Sequence, residues 1–272
     1  MKQLLYILLI FVLFSCREEV NIELDNSSPN IVFEGLITDN PGPYTIKISK
    51  TSSYYETNTE NGISGLLVTI SASDGVIDTL QEMETGHYQT TKLHGETGKT
   101  YTLQTIHNGE VYEASGTLQT PPIFDSLTYQ YNEKKVFREE GYYLHFFGKT
   151  PKEQINYYRW LVYKNNELFN TQPEDYLLAS DEFIAASIED LEFPFAFEAN
   201  DTIKIEMYGL DRPIYDYYNQ LIELLFSDGG LFSPPPVNPT SNVQNLTNPK
   251  NKPLGYFQVS SRVSETVIIK KN

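Results

Sequence analysis

The side chains that most often carry catalysis are scattered along this 272-residue chain. Its histidines fall in no His-x-x-x-His or Glu-x-x-His arrangement of the kind that holds zinc. The sequence also lacks a Gly-x-Ser-x-Gly elbow, a glycine-rich phosphate loop and an Asp-x-Asp-x-Asp-Gly calcium loop. We therefore predict no catalytic residue, no metal site and no cofactor. The histidines concerned are His87, His94, His107 and His145.

Adjacent carboxylates are frequent, as at Glu139-Glu140, Asp181-Glu182 and Glu189-Asp190. Neighbouring side chains of a strand point to opposite faces, so adjacency alone does not make a catalytic pair. The two acids of a glycosidase would have to meet from distant segments. A surface hydrolase whose carboxylates come together only in the fold is therefore an alternative to a non-enzymatic protein.

Covalent chemistry is indicated at Cys16, the only cysteine in the sequence. It follows Lys2 and an apolar run at 4–14, which is too short to span a bilayer but suits the core of a signal peptide. The segment from Leu13 to Cys16 resembles the lipobox of bacterial lipoproteins, where the signal is removed before a cysteine that carries fatty acyl chains such as palmitate. We predict a signal peptide at 1–15 and a lipid anchor on Cys16.

The residues after the cysteine are charged and polar. Arg17, Glu18 and Glu19 resemble the short signal that sends lipoproteins of the Bacteroidetes to the cell surface. The alternative is an ordinary solvated linker, and the stretch 16–29 has the composition of a tether. We expect a protein of the outer membrane that is held by its lipid and faces the cell surface.

The charge balance excludes two classes of partner. The sequence has 36 acidic and 20 basic residues, a formal net charge of −16. Such a body repels phosphate backbones and anionic lipid, so we expect no nucleic-acid partner and a membrane contact only through the lipid. A single cysteine also excludes disulfides within the chain, so burial of a core has to stabilise the fold.

Aromatic residues, 20 tyrosines and 15 phenylalanines, are the richest source of candidate binding residues. Tyrosines that face outward can stack on sugars or contact a partner protein. Tyr54 and Tyr55 lie in a predicted loop, and we take them as binding candidates. Tyr217 and Tyr218 are further candidates, although tyrosine doublets can equally fill a core.

The long loop at 233–252 is a second candidate surface. Pro234, Pro235 and Pro236 favour polyproline II, which exposes its carbonyl groups and loses little entropy on docking. With Phe232 they form a candidate binding edge. The alternative is a rigid cover, with Phe232 tucked into the core.

Strand patterns dominate the first half of the chain. Residues 31–37 are β-branched and apolar, and residues 44–50 alternate apolar and polar side chains with a period of two. Turns at Ser73-Asp74-Gly75 and at 107–110 predict hairpins. About seven short strands at this spacing are typical of an immunoglobulin-like β-sandwich, which we place at 30–120.

The second half, residues 121–272, is also rich in strands but contains one helix. The helix is predicted at 211–227, with Asp211 as its N-cap, Pro213 in its first turn and apolar residues at helical spacing. The expected fold is mostly β: an N-terminal immunoglobulin-like β-sandwich followed by a second β-rich domain with one α-helix and a Pro-rich loop. Strands of the second domain are predicted at 126–131, 142–147, 157–163, 202–208, 254–261 and 265–269.

Several segments together resemble a family of Bacteroidetes lipoproteins known only as domain of unknown function 4249. In order, they are Val32 to Asp39, Pro41 to Tyr44, Tyr158 to Trp160, Tyr215 to Tyr218, Gly229 to Pro236 and Leu254 to Phe257. Such proteins are commonly encoded beside TonB-dependent outer-membrane transporters. The resemblance therefore implies an accessory role in capture or uptake, and it carries over no catalytic residue.

We expect a non-enzymatic lipoprotein that captures a ligand for a TonB-dependent transporter or docks with it. Two alternatives stay open: the surface hydrolase described above, and a structural or adhesive protein of the cell envelope. A deep cleft lined by two carboxylates would favour the hydrolase. A flat aromatic patch beside the proline loop would favour the docking partner.

Overall fold

The computed structural model describes residues 29–52, 61–151, 155–182, 187–227 and 235–271. Strands account for 51% of the chain and helices for 8%, which confirms the mostly-β prediction. The strands form two sandwiches, and the chain first passes from one to the other between Thr117 and Ile123.

The first sandwich packs a sheet of order β17-β1-β2-β6-β5 against a sheet of order β16-β8-β7-β3-β4. Alternate residues of each strand point between the sheets, so that Phe33 and Ile46 from one sheet meet Ile70 and Leu103 from the other. Its strands are β1 (Ile31–Thr38), β2 (Thr45–Lys50), β3 (Val68–Ala72), β4 (Ile77–Thr79), β5 (Gln81–Glu84), β6 (His87–Gln89), β7 (Thr100–His107), β8 (Glu110–Thr117), β16 (Gln244–Asn245) and β17 (Leu254–Ser260).

The C-terminal part of the chain completes the first sandwich. β17 pairs in parallel with β1, and Phe257 and Val259 of β17 are fully buried in its core. Gly255 permits this pairing, because its φ of +81° suits glycine and a Cβ there would lie 1.9 Å from the carbonyl oxygen of Phe33. The sandwich that we placed at 30–120 therefore also includes strands from 244–260, which a division at residue 120 assigns to the other domain.

The second sandwich packs a sheet of order β14-β10-β9 against a sheet of order β12-β11-β15-β18, in which β13 pairs with β11. Its core is rich in aromatic residues, among them Phe146, Trp160 and Phe197. Its strands are β9 (Ile123–Asn132), β10 (Gly141–Lys149), β11 (Tyr157–Lys164), β12 (Glu167–Leu168), β13 (Leu177–Ser180), β14 (Ser187–Glu192), β15 (Thr202–Leu210) and β18 (Arg262–Ile268), with a 3₁₀ turn at Pro173–Asp175.

The helix α1, Arg212–Phe226, confirms the helix prediction. Oδ1 of Asp211 caps it by accepting a hydrogen bond from the backbone N–H of Ile214 at 3.1 Å, and Pro213 lies in the first turn. Among the described residues, no helix has the length and hydropathy needed to cross a membrane.

The buried face of α1 packs against the outer faces of both sandwiches. Its residues Ile214, Tyr217 and Tyr218 form one cluster with Tyr208 of β15 and Tyr256 of β17. This cluster joins the two sandwiches through apolar contact, so the helix serves as a structural bridge between them.

Candidate functional site

The end of the second sandwich that points away from the first is called the distal end here. β18 starts beside the first sandwich, where the backbone N–H of Arg262 donates to Oδ1 of Asp39 at 2.8 Å. Just past the other end of β18, the N–H of Lys270 donates to the hydroxyl of Tyr129, near the end of β9, at 3.1 Å. β1 runs from Ile31 toward Asp39, so Ile31 and the distal end are each separated from this junction by the length of a strand.

An open pocket of about 800 Å³, the distal pocket, lies at this end. It is lined by the turn between β9 and β10 and by residues 194–198, which follow β14. Five of its lining residues are aromatic: Phe137 is exposed and Phe169 is half-buried, whereas Tyr143, Phe195 and Phe197 are buried. A concave site with apolar side chains and a few polar groups is the usual form of a ligand pocket.

A charged cluster borders the distal pocket. Nη2 of Arg138 donates to Oε2 of Glu192 at 2.6 Å, and the guanidinium lies 3.9 Å from the centre of the Tyr143 ring. His145 has Nδ1 2.5 Å from Oδ1 of Asp190 and Nε2 3.7 Å from Oε2 of Glu192. The hydrogen bond with Glu192 raises the pKa of the Arg138 guanidinium, which therefore stays charged.

Two nitrogen atoms of this cluster lack a hydrogen bond. Nε of Arg138 and Nε2 of His145 are buried without a hydrogen-bond partner among the described residues. A buried polar atom left in this way costs about 1–3 kcal/mol, and such atoms are rare in native proteins. Of the two residues, Arg138 lines the distal pocket and His145 lies behind it, beside Glu192.

Carboxylates surround the same pocket. Glu139 binds Lys134 at 3.1 Å, and Glu140 accepts a hydrogen bond from the hydroxyl of Tyr131. Glu198 is exposed at the edge, and with Glu192 it brings the carboxylates lining the pocket to four, against one guanidinium. The electrostatic potential of the pocket therefore favours a cationic group.

A period-two run of phenylalanines holds the pocket wall in place. Phe193, Phe195 and Phe197 are all buried in the core of the second sandwich. The backbone N–H of Phe193 donates to the carbonyl of Leu144 at 2.9 Å, and Phe197 and Tyr142 exchange two such bonds, also at 2.9 Å. The segment thus continues alongside β10, and the residues between the phenylalanines face away from the core.

Metal binding has no support in the described ranges. No three His, Cys, Asp or Glu side chains there lie in a group that could hold a metal ion. His87, His94, His107 and His145 stand at separate places in the fold, on or beside β6, β7 and β10.

The structure buries both tyrosines of the helix that we had named as binding candidates. Tyr217 is 9% exposed and Tyr218 is 3% exposed, because this face of α1 lies between the two sandwiches. The hydroxyl of Tyr218 donates to Oε1 of Gln258 at 2.9 Å, and Arg159 lies 4.1 Å from its ring centre. Neither ring is presented to a partner; both serve the bridge between the sandwiches.

The described part of the proline loop lies on the surface. Pro235 and Pro236 are exposed, and Val237 is 74% exposed. Beyond them the N–H of Thr240 donates to Oε1 of Gln220 on α1 at 2.7 Å, so the loop is fastened to the helix. The loop and the distal pocket belong to different parts of the fold.

The remaining sequence candidates lie outside the described residues. They are Cys16, Arg17, Glu18, Glu19, Tyr54, Tyr55, Phe232 and Pro234. The interpretations of these residues as lipid anchor, export signal and binding surface stay predictions.

A comparison with protein families finds a match over residues 17–266, nearly the whole chain. The chain belongs to the DUF4249 family, a domain of unknown function. This membership confirms the resemblance to domain of unknown function 4249, and the family's description assigns no activity. The association with Bacteroidetes lipoproteins and with TonB-dependent transporters stays a prediction. A search of curated proteins finds no match.

Sequence reasoning missed the distal pocket of this DUF4249 chain. The available signals were the alternation of Phe193, Phe195 and Phe197, and an apolar pair, Val136-Phe137, enclosed by charged residues. Neither signal specifies a pocket by itself, and the binding candidates predicted from the sequence were tyrosine doublets and a proline run. Which carboxylates share a pocket depends on contacts between β10 and residues after β14, which lie about 50 positions later in the chain.

Proposed function

We propose that this protein is a lipid-anchored, surface-facing lipoprotein of the outer membrane that captures a ligand in the distal pocket for a TonB-dependent transporter. In this proposal Cys16 carries the lipid, and Arg17, Glu18 and Glu19 direct the protein to the cell surface. The role is binding and delivery, without catalysis.

The distal pocket is the observation that carries this proposal. Its volume of about 800 Å³ lies within the range of about 300–1,000 Å³ that is common for ligand sites. It lies on the second sandwich, whereas Ile31 begins β1 of the first sandwich, so an anchor attached before Ile31 leaves the pocket open to solvent. An accessory protein that captures ligands needs this arrangement.

The lining of the pocket indicates the chemistry of the ligand. The rings of Phe137 and Phe169 favour an apolar or aromatic group, and four carboxylates favour a positive charge beside it. The charge of Arg138 is already paired with Glu192. A cationic peptide or a related amino compound meets all of these requirements.

Charge reversal at the pocket edge tests ligand capture. We expect Glu140→Lys combined with Glu198→Lys to lower the amount of ligand that stays bound to protein isolated from native membranes by at least about tenfold. Native mass spectrometry measures this amount, and transporter recovery is measured in the same preparation. The control, Glu84→Lys with Glu265→Lys, changes the net charge equally at exposed sites outside the pocket. Equal ligand recovery from both variants would contradict the proposal.

The same carboxylates favour a second candidate function, a surface hydrolase. Glu192 and Glu198 both line the pocket, as a pair of catalytic acids would. Glu192 is held by Arg138, which suits a fixed structural charge better than proton transfer. Incubating the captured ligand with wild type and with Glu192→Gln and Glu198→Gln separates the two functions. Product formed by wild type and abolished in these variants would establish the hydrolase.

The anchor is tested at Cys16. We expect Cys16→Ser to release the protein from the membrane fraction, because an acyl anchor is stabilised by about 0.8 kcal/mol for each buried CH₂ group and a serine hydroxyl carries no such chain in lipoproteins. Quantitative fractionation measures the effect. The variant found in the pellet at wild-type levels would rule out the anchor.

Surface display is tested at Glu18 and Glu19. Replacing both with alanine is expected to leave the protein lipidated but inaccessible to protease added to intact cells. The matched control replaces Glu23 and Asp25, two acidic residues further along the tether. Equal digestion of both variants and wild type would show that Arg17-Glu18-Glu19 is only part of a solvated linker.

A further inference from the structure

The outward side of one sheet in the first sandwich carries almost no charge. In the sheet of order β16-β8-β7-β3-β4, alternate side chains point away from the core, and we call this surface the neutral face. Within these five strands, all in the described part of the chain, Glu113 is the only charged side chain that points outward. Charged residues make up 21% of the whole chain, so this face departs from the rest. Hydroxyl and amide side chains take their place, among them Thr69, Ser71, Thr102, Gln104, Ser115 and Gln244.

The other sheet of the first sandwich presents a different outer surface. Glu34 and Lys47 point outward there and form an ion pair, with 3.6 Å between Oε2 and Nζ. Leu36 and Tyr256, also on this outer side, join the cluster around α1. The helix therefore packs on that sheet, and the neutral face lies on the side of the sandwich away from the helix.

Four apolar side chains cross the neutral face in one line, and we call Leu67, Ile106, Val111 and Leu246 the apolar row. Val111 lies opposite Ile106, and the backbone N–H of Leu246 donates to the carbonyl of Val111 at 2.9 Å. The register of β3 with β7 places Leu67 beside Ile106. Leu67 is 67%, Ile106 55% and Leu246 50% exposed. At the spacing of neighbouring strands the row is about 14 Å long.

The apolar row lies at the end of the first sandwich where the described chain enters it. From the row, β8 runs toward Gly116, which lies beside Asp211 where the two sandwiches meet. The row is therefore at the other end of the sheet. Ile31, at the start of β1, pairs with Lys50, and burial together with the charge of Lys50 lowers the pKa of His107 at the end of β7. Ile31 and the row thus share one end of the sandwich.

The tether brings this end of the sandwich to the membrane. In the proposed function Cys16 carries the lipid, and the chain from there to Ile31 reaches at most about 50 Å when fully extended. A body with a net charge of −16 is repelled by anionic lipid, but a surface with one carboxylate is not. The neutral face is the side of the first sandwich on which an acidic protein approaches a bilayer at the smallest electrostatic cost.

We propose that the neutral face rests on the bilayer that holds the anchor. The apolar row enters the boundary between headgroups and acyl chains, where interfacial apolar surfaces lie about 5–10 Å deep. The hydroxyl and amide side chains of the face form hydrogen bonds with the headgroups. This inference rests on the lipid anchor of the proposed function and adds a second, direct contact between protein and membrane.

The size of the face favours a bilayer over a second copy of the chain. Five strands at their usual spacing, most of them short, give a face of about 400 Å². Two such faces packed together bury about 800 Å² in total, less than the roughly 1,200 Å² of a specific interface. A bilayer contact does not need that area, because the anchor already keeps the face at a high local concentration of lipid.

A nitroxide spin label at Ile106→Cys tests the contact in the lipidated full chain on phosphatidylcholine vesicles. Acylation of Cys16 leaves the new thiol as the only one that reacts with the label. The matched control is Ile268→Cys, since Ile268 is 56% exposed and lies toward the distal end. The ratio of accessibility to oxygen over accessibility to a water-soluble nickel chelate is expected to be at least about threefold higher at Ile106 than at Ile268, because oxygen concentrates among acyl chains.

The role of the row is tested by removing its other members. In the labelled Ile106→Cys chain, Leu67→Ser with Leu246→Ser is expected to lower the ratio to that of Ile268→Cys. Flotation with the vesicles stays unchanged, because the anchor is intact. The control, Met83→Ser with Val237→Ser, removes two apolar side chains that are 59% and 74% exposed elsewhere and leaves the ratio at Ile106 high.

Flotation separates failure of this inference from failure of the anchor. Protein that floats while its label at Ile106 is as accessible to the chelate as the label at Ile268 would overturn the bilayer contact and leave the anchor standing. Protein that does not float would overturn both. Spin–spin coupling between labels at Ile106 that disappears on dilution with unlabelled chain would assign the neutral face to a second copy, against the proposal.

Discussion

The two sandwiches treat their buried polar groups differently. In the first, Asp78 is fully buried, and its carboxylate accepts hydrogen bonds from the N–H groups of residues 91–93 at 2.8, 2.9 and 2.9 Å and from the hydroxyl of Thr91 at 2.6 Å. In the second, Nε of Arg138 and Nε2 of His145 are buried beside the distal pocket without such a partner among the described residues.

Glu110 extends this comparison within the first sandwich. Its carboxylate accepts hydrogen bonds that lower its pKa to about 2. The donors are the hydroxyl of Tyr112 and the side-chain amides of Asn245, Asn248 and Asn251. Polar groups of the first sandwich therefore fasten distant segments together, whereas in the second sandwich the two nitrogens beside the distal pocket lack such bonds. The first is a framework, and the second presents the site.

The largest effect that we predict concerns a fragment containing residues 29–120. This fragment lacks β16 and β17. The loss of β17 removes Phe257 and Val259 from the core of the first sandwich. Loss of one buried phenylalanine costs about 3–5 kcal/mol, and whole domains are stable by about 5–15 kcal/mol. We expect the fragment to be unfolded by circular dichroism and amide exchange. Protected, well-dispersed amide signals from the fragment alone would show that the first half folds independently.

Asp78→Ala is expected to have the next largest effect. Three backbone N–H groups lose their acceptor in a buried site, which should lower the free energy of unfolding by about 3–5 kcal/mol. Urea denaturation measures the change. The control is Asp74→Ala, in the turn between β3 and β4. There an exposed carboxylate pairs with Nζ of Lys99 at 2.7 Å, and an ion pair of this kind contributes little to stability. Equal losses in both variants would contradict the role of burial.

The pH dependence of Asp78 follows from the same contacts. Although burial opposes ionisation, the hydrogen bonds of residues 91–93 outweigh it and lower the pKa of the carboxyl below its usual value. A lowered pKa contributes stability above the unfolded value of about 3.9, and this stability is lost as the pH falls through the folded pKa. Wild type should therefore lose stability below about pH 4, and Asp78→Ala should lose less there.

Local patterns in the sequence predicted most of the long strands and the helix, but not the short strands β5, β12, β13, β14 and β16. The period-two alternation at Tyr44–Lys50 is found in β2, and the cap at Asp211 starts α1 as predicted. The partner of β1 could not be found in this way. β17 lies more than 200 residues later, and a parallel pairing over that distance leaves no turn signal in the sequence. A boundary placed at a Pro-rich junction therefore missed the return of the chain.

The candidate site was harder to predict than the fold. The positions of Tyr217 and Tyr218 fit both an apolar stripe and a binding surface. Only the packing of this face of α1 against both sandwiches decides between the two. Phe137 belongs to no periodic pattern in the sequence. Its exposure depends on a turn that does not pack onto the rest of the chain. Pocket formation is a property of tertiary contacts, which single-residue patterns do not contain.

Asp211 lies where the two sandwiches meet. We expect its substitution to raise the free energy of unfolding, by an amount smaller than the losses predicted above. It lies against Gly116 of β8, where a Cβ would come within 3.5 Å of Oδ2, and burial raises the pKa of its carboxyl to about 6. A raised pKa means that its stability contribution is full below about pH 4 and is lost as the pH rises through about 6. Asparagine caps helices about as well without the charge.

We therefore expect Asp211→Asn to raise the free energy of unfolding at pH 7.5 by about 1–3 kcal/mol. The gain should vanish near pH 4, where the aspartate of wild type is protonated. Urea denaturation at several pH values measures it. A variant that is less stable than wild type at neutral pH would show that the charged cap is needed for the helix dipole.

The smallest effect on stability is predicted for the turn between β9 and β10, residues 133–140, which we call the distal finger. Val136→Ser with Phe137→Ser should change the free energy of unfolding by no more than about 0.5 kcal/mol. Both side chains are almost fully exposed, so serine removes no buried apolar area from the folded chain. The comparison variant Phe146→Ala, in the core of the same sandwich, should cost about 3–5 kcal/mol. A loss of more than 1 kcal/mol in the finger variant, about twice the expected limit, would mean that Phe137 folds into the pocket of its own chain. The finger would then belong to the framework, and the pocket would be closed when the protein is alone.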